Sequence, residues 1–487
     1  MRVHDKLFIG GEWVDPASSD TIDVINPHTE EVMGRVPDGN ETDMDRAVAA
    51  ARDAFDNGEW SQAAPADRIA AVTKFAEIYA GSMMDMAALI TEEMGSPISF
   101  SQLAQTPAPW MMLNTFIQIA STIEWEEERM GMMGTPVIVR REPVGVVGAI
   151  VPWNVPQFVT MSKLAPALLA GCSIVLKPAP ETPLDAFMMA ELLEQSSIPK
   201  GVVSVVPAGR EVGEHLVRHP SVDKIAFTGS TAAGRRIASI CGEQLKRVSL
   251  ELGGKSAAII LDDADLAATV AGLKFASLMN NGQACVAQTR ILASKKNYQN
   301  VVDAVSAMVG GLAVGDPSDP ATEIGPLVAE RQQERVEKYI AVGQEEGAKV
   351  VVGGNGRPSG LDKGWYVQPT VFADVDNSMR IAQEEIFGPV LAIIPFDDEK
   401  DALRIANDSD YGLAGSVWTA DAEKGMDFAR RVRAGTFGVN QYSMDFVAPF
   451  GGFKASGIGR EFGKEGLEHY LELKSIVPQG GGVAAAG

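Results

Sequence analysis

Over the middle of the chain, short and largely apolar runs alternate with longer helical stretches. VVGAIV (146–151) precedes a helix predicted over 160–171, and CSIVLK (172–177) precedes one over 184–195. VVSVV (202–206) is followed by a helix over 210–219, and KIAFTG (224–229) by one over 231–245. Continuous apolar runs mark strands covered on both faces, and helices between them carry the chain back so that successive strands run parallel. The pattern predicts an α/β fold with a Rossmann-like parallel sheet, whose ligands are expected outside the carboxyl ends of the strands. A second α/β region follows the ELGGK turn, from SAAIIL (256–261) to about 455. The flanks read differently. Residues 1–40 suggest short strands and turns, and 135–153 a strand-rich stretch. Residues 41–120 are mostly helical in pattern, with Thr42 and Asp45 as the expected cap of TDMDRAVAAARDAF. LEHYLELKSIVPQ reads as a helix and one strand, and the Gly/Ala tail at 480–487 as unstructured. No internal repeat is visible.

Composition narrows the function classes. At 487 residues, with 46% hydrophobic and 22% charged positions, the chain exceeds one ordinary domain and can bury large cores. A net charge of −22 opposes binding to nucleic acid or anionic membranes, since nothing offsets phosphate repulsion. Cysteines at 172, 241 and 285 form no CxxC pair, which suits a reducing cytoplasm. MRVHDKLFIGGEWVD lacks the basic and apolar regions of a signal peptide, and no run of ~20 apolar residues suggests a membrane span. Five histidines are too few and too dispersed to suggest a zinc site, so no metal is expected.

Six stretches hold candidate chemistry, and each has a bland reading beside the sharp one. In KIAFTGSTAAGRRI (224–237), Gly229, Ser230 and the free N–H groups of a helix start could take a phosphate, with Gly234 letting the helix pack close; an ordinary strand–helix turn looks the same. In VPWNVP (151–156), Asn154 between prolines is a held amide that could stabilise an oxyanion, or a turn-forming Asn. Lys177 ends a buried strand, where it could meet a ribose or simply reach out to water. Glu251, in LELGGKS, could be a base on water or a solvated acid. Glu385 and Phe387, in EEIFGPV, could hold ribose hydroxyls and a flat ring, or be the start of a strand. In NNGQACVAQTR (280–290), Cys285 sits among small and polar neighbours and is a nucleophile candidate, whereas Cys172 and Cys241 fit buried thiols.

Singly these signals are weak; their order and spacing are not. FIGGEW (8–13), PWN, KPxxxTP, FTGS, ELGGK, GQxC, EEIFGPV and PFGGFKxSGIGRE (449–461) span nearly the whole chain. Together they resemble the aldehyde dehydrogenase superfamily, in its NAD(P)-dependent hydrolytic branch, close to broad-range bacterial members. The resemblance implies that Cys285 attacks the aldehyde, that Asn154 and the Cys285 N–H bind the oxyanion, and that Glu251 activates water on the thioester. Glu461 would be a further acid near the centre, with a role in proton release. Cofactor contacts implied are Lys177 on the adenosine ribose, Ser230 and Gly229 at the pyrophosphate, and Glu385 on the nicotinamide ribose. Trp153 and Phe387 would border the nicotinamide, with Ile150, Pro152, Gly209, Gly234 and Leu252 completing the set. The implied domains are 1–124 with 144–253 for the cofactor, 254–455 for catalysis, and 125–143 with 456–487 as oligomerisation segments and C-terminal arm. A homodimer or homotetramer is expected.

One departure bears on the cofactor. NAD-preferring members often read K-P-x-E, and here Pro180 replaces that carboxylate, with Glu181 one place on and Arg210 in the next turn. NAD is expected, with NADP left open. The expected pocket (Val155, Val159, Ser162, Ala284, Val286, Met444, Phe450) is apolar and suits an aliphatic, terpenoid or aromatic aldehyde. Two other readings stand beside this one: a CoA-acylating relative, and a non-catalytic binding protein.

Overall fold

The computed structural model describes residues 1–132 and 134–478. The alternation of apolar runs and helices becomes an eight-stranded sheet. Its order is Gly457–Ile458, Arg247–Glu251, Lys224–Thr228, Val146–Ile150, Ser173–Lys177, Val203–Val205, Leu7–Ile9, Glu12–Val14. The five inner strands are parallel, and the added edges are antiparallel. Val146–Ile150 and Ser173–Lys177 are buried at every position, which is why they carry no polar alternation. The helix expected over 160–171 begins earlier, as Pro156–Ala170, because Pro156 occupies the first turn, where a missing N–H costs nothing. The cap expected at Thr42 lies at Asn40, in a reciprocal capping box with Asp43. Asn40 is extended, whereas residue 42 already lies inside the helix Glu41–Asp56.

The second sheet has seven strands, in the order Lys349–Val352, Thr370–Ala373, Val390–Phe396, Arg290–Ser294, Ala257–Ile260, Ala414–Trp418, Thr436–Val439. Only Lys349–Val352 runs antiparallel. The chain then returns to the first sheet, where Gly457–Ile458 pairs with Arg247–Glu251. A separate antiparallel sheet joins Glu126–Met130, Pro136–Pro143 and Leu471–Ile476, the last being the one strand read in LEHYLELKSIVPQ. Among the described residues, no helix is long and apolar enough to cross a membrane. The tail at 480–487 lies outside the described residues.

Beneath the first sheet's helices lies a buried acid pair. Glu93 accepts hydrogen bonds from the N–H groups of Leu184 and Asp185 at 3.1 and 3.0 Å, and Asp185 accepts one from Gln157 at 2.6 Å. Burial raises both carboxyls, Glu93 well above the usual range and Asp185 to about 6 from 3.8. The folded state therefore holds Asp185's proton more tightly than the unfolded chain does. That stabilisation is complete below about pH 4 and is lost as pH rises through about 6, a difference on the order of 3 kcal/mol. Asp185→Asn is expected to be more stable than the parent at pH 8 by about that amount and equal to it near pH 4. Urea unfolding at the two pH values checks this; an equal gain at both would mean that titration is not the cause.

Candidate active site

A cleft of about 710 Å³ opens at the carboxyl ends of the first sheet and is walled by Trp153, Asn154, Gly229, Ser230, Cys285, Glu385 and Phe387 among others. The nucleophile candidate reaches it through an unusual turn. After the helix Leu266–Leu278, three successive residues are left-handed: Asn280 (φ 55°), Asn281 (φ 61°) and Gly282 (φ 73°). Asn tolerates this region better than other side chains, and its amide can tie the turn down. Asn281 does so, donating to the carbonyls of Gly95 and Pro326 at 2.8 and 2.9 Å and accepting from the N–H of Gly325 at 2.7 Å. A Cβ on Gly282 would stand 2.4 Å from the Gly388 backbone. The turn thus needs the residues N-N-G, and it delivers Cys285 to the cleft wall, only partly buried.

Burial raises the Cys285 thiol far above its ordinary value, and the neighbouring charges of Glu251 and Glu385 add to this. These surroundings favour the thiol over the thiolate, so the proton has to leave before the sulfur can attack. Asn154 is 4% exposed, and its side-chain amide donates one hydrogen to the carbonyl of Gln283 at 2.8 Å, which leaves the second for the cleft. Glu251 ends the strand Arg247–Glu251 just behind the wall. Burial, then the charge of Glu461, raise its carboxyl well above the usual range, and its Oε2 is buried without a hydrogen-bond partner. Glu461 lies deeper, accepting from Lys163 Nζ at 2.6 Å, and Lys163 also donates to Thr228 Oγ1 at 2.8 Å. Sequence reasoning missed Lys163. Its signal was present: it is the only charged residue in PQFVTMSKLAPALLA, a helix otherwise without charge.

The cofactor candidates divide. Pro152, Trp153, Gly229, Ser230, Leu252, Glu385 and Phe387 line the cleft; Ile150, Lys177, Gly209 and Gly234 do not. A Cβ on Gly234 would come within 2.4 Å of Leu252, so this glycine serves packing of the helix Thr231–Gln244. Lys177 is buried, donates to the carbonyls of Pro178 and Ala208 at 2.9 and 2.6 Å, and is lowered to about 8 by burial. Gly209 caps the helix Arg210–Arg218. Phe387 is held at φ 69° by hydrogen bonds from Gln332 to its carbonyl (2.7 Å) and from Arg335 to those of Glu385 and Ile386 (2.5 and 3.2 Å), and it meets Trp153 edge-on at 5.4 Å. The cleft volume falls in the ~300–1,000 Å³ range of cofactor sites. The 14-residue helix Thr231–Gln244 starts at the cleft wall, where Gly229 and Ser230 line it; Ser230 Oγ accepts from the Ala233 N–H at 3.3 Å, and the N–H groups of the first turn around it are of the kind a pyrophosphate uses. These residues fit a dinucleotide. At the rim, Arg210 and Arg331 line the cleft, and Arg331 pairs with Glu181.

Of the substrate candidates, Val155 and Val159 line the cleft, whereas Ser162, Ala284, Val286, Met444 and Phe450 do not. Ser162 is turned into its helix, donating to the Val159 carbonyl at 2.8 Å. A cluster that the sequence did not reveal, Phe158, Phe446, Phe450 and Phe462, packs with ring centroids 5.2–5.9 Å apart. One spacing also corrects the reading of the histidines as dispersed: HLVRH (215–219) places His215 and His219 four residues apart. Both approach Asp45 Oδ1, at 2.6 and 3.5 Å. However, the Ser221 N–H donates to His219 Nδ1 at 3.2 Å, so the ring proton sits on Nε2, the atom that would have to ligate. Among the described residues, no group of three or more such side chains is placed to hold a metal.

A partly buried cysteine, a side-chain amide and a helix N-terminus meet in one cleft, an arrangement that fits a dinucleotide-dependent oxidoreductase. The chain matches the Aldehyde dehydrogenase family over residues 13–476, and it belongs to that family. A geranial dehydrogenase of Castellaniella defragrans is 47% identical over 473 residues, covering 97% of this chain and 98% of that protein. A Mycobacterium tuberculosis aldehyde dehydrogenase, solved in complex with NAD+, has a TM-score of 0.97 at 53% identity, covering 99% of both chains. A mutant of Pseudomonas syringae aldehyde dehydrogenase C, solved with NAD+ and octanal, has a TM-score of 0.94 at 41% identity, covering 97% of this chain and 96% of that one.

Proposed function

We propose that the protein oxidises an apolar aldehyde to its carboxylic acid, with NAD as the preferred cofactor, through a covalent thioester on Cys285. The observation that carries this reading is the placement of Cys285 and the Asn154 amide in one cleft with the helix N-terminus at Ser230. The Cys285 sulfur adds to the carbonyl carbon, and its proton leaves toward Glu251. The free N–H of Asn154 and the backbone N–H of Cys285 hold the oxygen that becomes negative. When bound, the nicotinamide cofactor supplies the acceptor for the hydride that leaves the substrate carbon. After passing the Cys285 proton on to solvent, Glu251 takes a proton from the water that attacks the thioester; the carbon–sulfur bond then breaks and the Cys285 sulfur leaves, taking that proton back from Glu251 as the thiol re-forms. Glu461 and Lys163 set the charge around Glu251 from behind, which fits their ion pair better than direct contact with substrate.

An apolar substrate suits Val155 and Val159 in the wall and the phenylalanine cluster next to them. The geranial and octanal in the names of two similar proteins are of this class. The domain division, the cytoplasmic location and a homodimer or homotetramer belong to the same reading; the exposed apolar side chains Met130, Leu473 and Ile476 on the small sheet support assembly. A monomeric mass by light scattering at micromolar concentration would exclude assembly. The function is tested by following reduced nucleotide with NAD and NADP, over aliphatic, terpenoid, aromatic and charged aldehydes, without CoA. Turnover of charged aldehydes alone would overturn the substrate class. An absolute need for CoA would favour the acylating alternative, and no turnover at all a binding protein.

The rim favours some use of NADP, because Pro180 bears no charge and Glu181 is occupied by Arg331. Pro180→Glu is expected to raise the ratio of kcat/KM for NAD over NADP by about tenfold, or ~1.4 kcal/mol of repulsion with a 2′-phosphate. An unchanged ratio would place the 2′-position elsewhere.

A further inference from the structure

We infer that Gln105 is a positioning residue for the oxyanion donor Asn154, an inference that rests on the role proposed for Asn154 above. Gln105 closes a π-helical turn, Ser101–Gln105, in which the Thr106 N–H reaches back five residues to the Ser101 carbonyl at 3.3 Å. Such wide turns are uncommon and gather at functional sites. Here the turn leaves Leu103 exposed and carries Gln105 inward to 1% exposure. Its Nε2 donates to the backbone carbonyl of Asn154 at 3.1 Å, and the weaker acceptors around it are Asn280 Oδ1 at 3.4 Å, Ser96 Oγ at 3.5 Å and Met94 Sδ at 3.8 Å. Asn280 Nδ2 donates to the same Asn154 carbonyl at 2.8 Å. Two amides from distant segments thus hold one peptide oxygen. Asn280 also reaches the Gln283 carbonyl at 3.4 Å, the group that orients the Asn154 side chain. The backbone and the side chain of Asn154 are both fixed through this network, and with them the direction of the N–H left for the substrate oxygen.

The arrangement is a poor choice for stability alone. Gln105 Oε1 is buried with no hydrogen-bond partner, a cost that an apolar side chain of the same length would not carry. A residue retained only for packing would not leave that atom unmatched, whereas one retained for its donors must accept it. Addition of the thiol to the aldehyde and of water to the thioester both pass through an oxyanion, so loosening Asn154 slows either one.

The test compares Gln105→Met, which keeps length and loses the donors, Gln105→Glu, which puts an acceptor against the Asn154 carbonyl, Asn154→Ala, and Gln105→Met with Asn154→Ala. Gln105→Met is expected to lower kcat about tenfold with the aldehyde KM nearly unchanged and with no loss of thermal stability; Gln105→Glu should lower kcat further. In the Asn154→Ala background Gln105→Met should change nothing more. A kcat within twofold of the parent, an additive double mutant, or loss of folding in both Gln105 variants would overturn the inference. If Asn154→Ala itself leaves kcat unchanged, the oxyanion role of Asn154 fails instead.

Discussion

Cys285→Ala is expected to lower aldehyde oxidation by at least about 10⁴-fold while cofactor binding survives. Cys285 is the one thiol among the described residues of the cleft wall, the other two cysteines being buried away from it, and Glu385 in the same wall is engaged by the N–H of Gly254 at 2.9 Å. Losing the nucleophile of a covalent mechanism removes the path rather than a single interaction, so the effect far exceeds that of one lost hydrogen bond. Cofactor affinity, read by fluorescence titration, should stay within a few-fold, since the helix N-terminus and Glu385 are untouched. Residual turnover within 100-fold of the parent would mean that Cys285 is not the nucleophile.

Glu251→Gln should separate the two halves of the reaction. The variant is expected to release about one equivalent of reduced nucleotide per site in a rapid burst and then turn over on the order of 10²–10⁴ times more slowly, because no base remains to activate water. The pH dependence has a definite sign. Burial and Glu461 raise the Glu251 carboxyl, and only its ionised form is a base. Parent kcat should therefore climb with pH through a range well above that of an ordinary glutamate, and the slow steady rate of the glutamine variant should lose that climb. Stopped-flow absorbance gives both quantities. A variant with no burst but a normal steady rate would remove Glu251 from thioester hydrolysis.

Much of this was legible in the sequence, and the rest was hidden for physical reasons. Apolar runs such as CSIVLK report burial on both faces directly, so the parallel sheet followed from them. GQAC and ELGGK were weak signals singly and became readable only as members of an ordered set of motifs that resembles one family. What the sequence hides is the meeting of distant segments. Gln105 looks like any polar helix residue until its turn brings it to Asn154, 49 positions on. Lys163 finds Glu461 across 298 positions. The same limit explains Gly234 and Ser162, whose residue types fit a site while their surroundings turn them toward a neighbouring leucine and their own helix. It also explains HLVRH, a metal-like spacing undone by a single backbone N–H from Ser221.

The protonated state of Cys285 bears on the durability of the protein. Peroxides and alkylating agents attack the thiolate, and oxidation beyond the sulfenic acid is largely irreversible. A thiol held far above its ordinary range by burial, Glu251 and Glu385 offers these agents little target between turnovers. The burial that delays its ionisation would thus also slow its oxidation. Inactivation by hydrogen peroxide at pH 7 should be slower than oxidation of a free cysteine thiol at the same pH, and should accelerate as the pH is raised; a faster rate at pH 7 would mean that the resting sulfur is already ionised.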